Sequence, residues 1–134
     1  MQSARLSSEA DVETRRAKIR EGVELFNRLE FWEAHDSWEK VWLIAEGEEK
    51  LFVQGMIQLA AAYLHVERGS PRPAARLFGS GLAKLSSIDA SFAGVDCSEV
   101  IAAATRHLEW ALRKDRAEFR LEEFPRLGLT EYRD

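Results

Sequence analysis

The segment Phe31-Trp32-Glu33-Ala34-His35-Asp36-Ser37-Trp38-Glu39-Lys40-Val41-Trp42 concentrates the residue types that do chemistry. It holds three of the four tryptophans, one of the three histidines and three carboxylates, Glu33, Asp36 and Glu39. His35 and Glu39 are four residues apart, which on a helix makes their side chains neighbours on one face. At about 100° per residue, Trp32 and Trp42 flank that pair. A histidine beside a carboxylate among indoles suits proton transfer or ligand positioning, with His35 as acid/base and Glu39 orienting it. Further along, Gln54, Gln58, Ala61 and His65 recur at spacings of four, three and four and form one polar stripe in an apolar helix. Buried amides and imidazoles need partners. If the stripe faces His35 and Glu39, both sets are satisfied, and an interhelical network of His35, Glu39, Gln54, Gln58 and His65 is predicted. Glu33, Asp36, Trp38 and Trp42 surround it.

Such a network binds a small ligand, or a divalent metal held by His35, His65 and either Glu39 or His107, a donor set suited to Zn²⁺ or another borderline metal. No feature of the sequence requires a cofactor. In the alternative, a structural or protein-interaction module, the polar groups only satisfy one another and fix helix register. The tryptophans are then core, Glu33 complements a helix start, and His107 is an ordinary amphipathic-helix histidine.

Other helical chemistries fail on spacing. Di-iron carboxylate bundles use Glu-x-x-His pairs, but Trp32, Ala62 and Ala104 precede the three histidines by three residues. Mg²⁺-dependent helical pyrophosphohydrolases need carboxylates on two facing helices; Glu33, Asp36 and Glu39 supply one helix, and the next offers Gln and His. No P-loop, HExxH or Gly-x-Ser-x-Gly is present. Residues 21–67 are strongly acidic, whereas Arg68, Arg72, Arg76 and Lys84 lie in a stretch, 68–88, with no acid. That stretch reads as a solvated helix face or as a small-anion or phosphate site aided by a helix N-terminus. Without interleaved aromatics it is no nucleic-acid platform.

A single all-α domain must position these residues. The chain of 134 residues is 46% apolar and 31% charged with a net charge of −4, the composition of a folded soluble domain rather than a general polyanion binder. The lone Cys97 excludes an internal disulfide and a cysteine-based zinc site. The longest uncharged stretch, 51–66, is too short to span a bilayer, and no apolar run of signal-peptide length opens the chain. A cytoplasmic setting with no membrane partner is expected. Helical periodicity predicts five helices with short loops: from Ser8 as N-cap to about residue 29, 31–45 with Gly47 ending it, 48 or 49 to before Gly69, 73 to 85 or 86, and one opened by an Asp96–Glu99 capping box and running to about 114. The third is apolar nearly all round, as a helix in the middle of a bundle is. No strand alternation is visible. Residues 9–115 form the core, and 116–134 an irregular tail packed on the surface.

The stretches FNRLEFWEAHDSWEKVW and LFVQGMIQLAAAYLHVERGSPRPAARL together resemble a prokaryotic all-helical family known as a domain of unknown function. That family's pattern runs aromatic-Glu-Ala-His-Glu, then Trp or another apolar residue, Glu and Trp. Gly-Leu-Ile-Gln-Leu-Ala and Gly-Asn-Pro-x-Gly-Ala follow. The resemblance covers residues 23–85, with a weaker echo at 94–96. Asp36 stands where the family has Glu, Met56 where it has Leu, and Arg72-Pro73 sits in the turn; none of these removes a polar member of the predicted network. The resemblance implies a compact helical domain, often a homo-oligomer, and no established activity.

Overall fold

Periodic apolar residues become helices wherever one face can be buried. The computed structural model describes residues 9–88 and 92–129. In chain order they form α1 (Glu9–Asn27), α2 (Phe31–Trp42), α3 (Gly47–Glu67), α4 (Pro71–Ser86), β1 (Val95–Asp96), α5 (Ser98–Leu112), a 3₁₀ turn (Leu121–Glu123) and β2 (Gly128–Leu129). α3 is flanked by α2 and α4, while α1 packs on α2 and α5 on α4. Ile19, Val23, Phe26, Phe31, Trp38, Phe52, Leu59, Tyr63 and Phe78 are all but fully buried between them. Tyr63 stands in the middle of the aromatic core, with ring centroids 6.0 Å from Phe26, 5.8 Å from Phe31 and 4.9 Å from Phe78. Arg15 of α1 reaches across to Glu49 of α3 at 3.1 Å.

Several boundaries differ from the sequence reading. α2 ends at Trp42, not near residue 45: Leu43 and Ile44, which continue its apolar run, are 71% and 61% exposed. Gly47 opens α3 instead of ending α2. α4 begins two residues early, with Pro71 in its first turn, where the missing N–H costs nothing. Ser8, the expected cap of α1, lies outside the described residues. The expected capping box is replaced by two separate contacts. Asp96 Oδ1 accepts hydrogen bonds from the amide and hydroxyl of Ser98 at 3.0 and 2.7 Å. Glu99 Oε2 instead accepts from the amide of Arg126 at 3.3 Å.

The turn after α3 sets the direction of α4. Ser70 N–H bonds to His65 O and Gly69 N–H to Val66 O, at 2.8 and 3.1 Å, a Schellman ending. It needs φ of +71° at Gly69, a value glycine adopts without strain.

The C-terminal segment is more integrated than a surface tail. β2 pairs antiparallel with β1, Val95 against Leu129 and Asp96 against Gly128, a short ladder without the alternation that announces strands. Phe124 stacks near Phe31 and Tyr63, and Leu127 is 3% exposed. Asn27 clamps the segment reciprocally: its Nδ2 donates to Leu127 O at 2.9 Å and its Oδ1 accepts from Leu127 N–H at 2.8 Å. Asn27→Ala leaves both backbone groups without that partner and is expected to cost about 1–3 kcal/mol. Faster amide exchange at Leu127, with Val23 unchanged, would report the loss; equal protection in mutant and wild type would contradict it.

Candidate functional site

Of the residues that opened the sequence reading, His35 and Glu39 are brought together. Nε2 of His35 lies 3.9 Å from Oε2 of Glu39 on the flank of α2. Trp32 stacks on the imidazole, centroids 5.5 Å apart at 14°, and Lys50 Nζ sits 4.3 Å over the Trp42 ring. Glu33 and Asp36 are exposed, the latter 3.7 Å from Lys40. Trp38 points into the core.

Gln54, Gln58 and His65 are half-buried, and no hydrogen bond links them to His35 or Glu39. His35 Nδ1, Trp42 Nε1, Gln58 Oε1 and His65 Nδ1 are buried without a partner. α3 is buried around most of its circumference, through Val53, Ala60, Ala62 and Val66 as well as Phe52, Met56, Leu59 and Tyr63, and the stripe runs along its half-buried side. The expected metal set fares likewise: among the described residues, no three of His, Cys, Asp or Glu gather as a metal group.

His107 is engaged elsewhere. Its Nδ1 lies 2.8 Å from the Tyr63 hydroxyl, and its ring packs edge-on against Tyr63 and Phe119. Desolvation holds its pKa down at about 4, Arg106 adding to the shift and Glu123 opposing it. Burial also raises the Tyr63 phenol well above its ordinary range. The signal for this pair was available in the sequence, since a tyrosine inside an apolar helix and a histidine on an apolar face each need a polar partner. Cys97 is chemically quiet, buried with its thiol pushed up to about 12 by desolvation and by Asp96.

The charged stretch gains a second half. The start of α4 and the end of α5 enclose a cleft of about 930 Å³, lined by Arg72, Arg76, Arg113, Lys114 and Arg116 over a floor of prolines, alanines and Leu112. No acid lines it. Arg68 and Lys84 do not reach it, and Arg113, Lys114 and Arg116 take their place. None of the five cations forms an ion pair among the described residues.

Fold and sites together define an all-α domain that carries a cationic cleft between α4 and α5 and whose core holds a hydrogen-bonded Tyr–His pair. Residues 19–77 match the family described as a domain of unknown function (DUF309). That match takes in most of α1, all of α2 and α3 and the start of α4, including Arg72 and Arg76; the α5 half of the cleft and His107 lie beyond it. No curated protein matches the chain. Among the described residues, no helix is long and apolar enough to cross a membrane.

Proposed function

We propose that the protein is a binding module for a small organic polyanion, such as a phosphorylated metabolite, held in the cleft between α4 and α5. One observation carries this reading: five cationic residues line one cleft with no acid among its lining, Arg116 also donating to the Arg113 carbonyl. Arg113 caps the C-terminus of α5 and Lys114 and Arg116 follow it, near the negative pole of the helix, which cations complement. Arg72 and Arg76 are not so placed. They lie in the first two turns of α4, at its positive pole, with no acid in the first turn. Cations there cost stability unless an anion offsets them. Pro71 and Pro73 remove two of the amides a helix start normally offers, so the guanidinium groups do the holding. Guanidinium suits bidentate contact with phosphate or carboxylate oxygens. Leu112, 68% exposed, gives the ligand's carbon skeleton an apolar wall. The absence of aromatics from the lining fits a compact anion better than a stacked nucleic-acid strand.

The reading does not rest on His35 and Glu39, which sit on the flank of α2, the first half-buried and the second exposed. The cytoplasmic setting expected from the sequence goes with it, since phosphorylated metabolites are concentrated there.

Calorimetric titration with inorganic pyrophosphate at low ionic strength tests it. Wild type is expected to bind, with affinity falling as salt rises. The pair Arg76→Glu and Arg113→Glu should weaken binding by about tenfold or more. Arg76→Ala should alter unfolding free energy by no more than about 0.5 kcal/mol, because that face is exposed. No binding by wild type, or equal binding by the charge-reversed variant, would overturn the reading.

A further inference from the structure

A second cleft, of about 470 Å³, lies between α5 and the 3₁₀ turn, away from the cationic one. Its volume is within the range of about 300–1,000 Å³ usual for small-molecule sites. His107 forms part of its wall and is only 7% exposed. The side of the ring away from the cleft is committed, because Nδ1 meets the Tyr63 hydroxyl at 2.8 Å. Tyr63 is fully buried and that hydroxyl has no other partner among the described residues. If Nδ1 carried the proton and donated to the phenol oxygen, the phenol O–H would be left buried and unbonded, at a cost of about 1–3 kcal/mol. The hydroxyl therefore donates to Nδ1, and the neutral imidazole keeps its hydrogen on Nε2. No acceptor among the described residues takes that N–H.

The result is one fixed donor, backed by a buried tyrosine, in the wall of a cleft. It calls for an acceptor oxygen, and Arg106 on the same wall adds positive charge. The facing wall, from the 3₁₀ turn, has the opposite sign and carries Glu122 and Glu123, and Glu99 adds a carboxylate from α5 itself. Glu99 is engaged by the Arg126 amide and Glu122 lies 3.9 Å from Arg120, whereas the Glu123 carboxylate has no hydrogen bond or ion pair among the described residues and acts on His107 only through its charge. A simple anion meets three carboxylates there, and a simple cation leaves the His107 N–H bare. A molecule carrying both charges meets both walls.

We propose that this cleft binds a small zwitterion of the α-amino-acid type. Its carboxylate lies on His107 Nε2–H and Arg106, and its ammonium on Glu123. Trp110 and Phe124, also in the lining, give the ligand's side chain apolar surface from both elements. His107 acts as a binding residue, and Tyr63 as the positioning residue that fixes its tautomer.

The test uses the full chain and three probes of similar carbon skeleton: L-leucine, 4-methylpentanoate and isoamylamine. Imidazole ¹⁵N–¹H spectra should show His107 protonated on Nε2, and L-leucine should shift that resonance at millimolar concentration. The carboxylate-only and amine-only probes should each bind at least about tenfold more weakly. Glu123→Gln changes an exposed residue and leaves the core alone; it should weaken L-leucine by about tenfold while pyrophosphate binding is unchanged. Conversely, the Arg76→Glu, Arg113→Glu pair should leave L-leucine binding intact, so the two clefts succeed or fail separately. Tyr63→Phe should free the ring and let the Nδ1–H tautomer appear. Protonation on Nδ1 in wild type, absence of any L-leucine shift, or equal binding of 4-methylpentanoate would each overturn the proposal.

Discussion

Trp38→Ala is expected to lower the unfolding free energy by about 3–5 kcal/mol, the range for deleting a large buried aromatic. Trp38 is the largest of the fully buried side chains, 1% exposed, and it joins α2 to α1 in two ways. Its indole N–H donates to the Ile19 carbonyl at 3.0 Å, and its ring lies 6.1 Å from Phe26. Alanine removes the bond and opens a cavity that helix backbones on both sides hold open. A denaturant midpoint well below wild type, with an unchanged slope, is the expected readout. A midpoint equal to that of Arg76→Ala would contradict the burial of this face.

Gly22→Ala is expected to destabilise by about 1–3 kcal/mol, the cost of overpacking, against the usual sign of the substitution. In mid-helix, alanine is normally favoured over glycine by about 0.5–1 kcal/mol. Here a β-carbon at Gly22 would come 2.1 Å from Trp38 Nε1 and 2.4 Å from the neighbouring ring carbon. The indole is rigid and fully enclosed, so it cannot give way without losing its bond to Ile19. The decisive measurement is a double-mutant cycle. With Trp38→Ala already in place the obstruction is gone, and Gly22→Ala should become stabilising through helix propensity alone. If it destabilises equally in both backgrounds, the clash is not its cause.

What the sequence made legible follows from what is local. The helices of 3.6-residue period were readable because each buries one face, and Ile19, Val23 and Phe26 occupy the core as their spacing predicted. Their ends were less so. Leu43 and Ile44 extend an apolar pattern that the backbone abandons at Trp42, and Gly47 looks alike as a helix stop and as a helix start. Asp96 and Glu99 fit a local capping rule, yet the chain returning at Arg126 offers Glu99 a different donor. The sites show the same division. Arg72 and Arg76 stood out because the surrounding stretch lacks acids, but their companions at 113–116 arrive only when α5 packs on α4. The polar stripe of α3 is legible as a stripe, but periodicity gives the angle between residues and not the partner each angle meets, and Gln58 and His65 make no direct hydrogen bond to His35 or Glu39. Tyr63 and His107, 44 residues apart, share no local pattern at all.

The Asn27–Leu127 clamp closes the described chain almost into a ring, joining residues 100 positions apart. Closing so long a loop is an entropic cost that is repaid only after the helices between have packed. The wall that carries Glu122, Glu123 and Phe124 is attached through that late closure. That side of the molecule covers the Tyr63–His107 pair, with Phe124 against the Tyr63 ring and Phe119 against the His107 ring. Anything that bridges α5 and the 3₁₀ turn acts as a latch on that side, so occupancy of the cleft and retention of the C-terminal segment are two readings of one equilibrium.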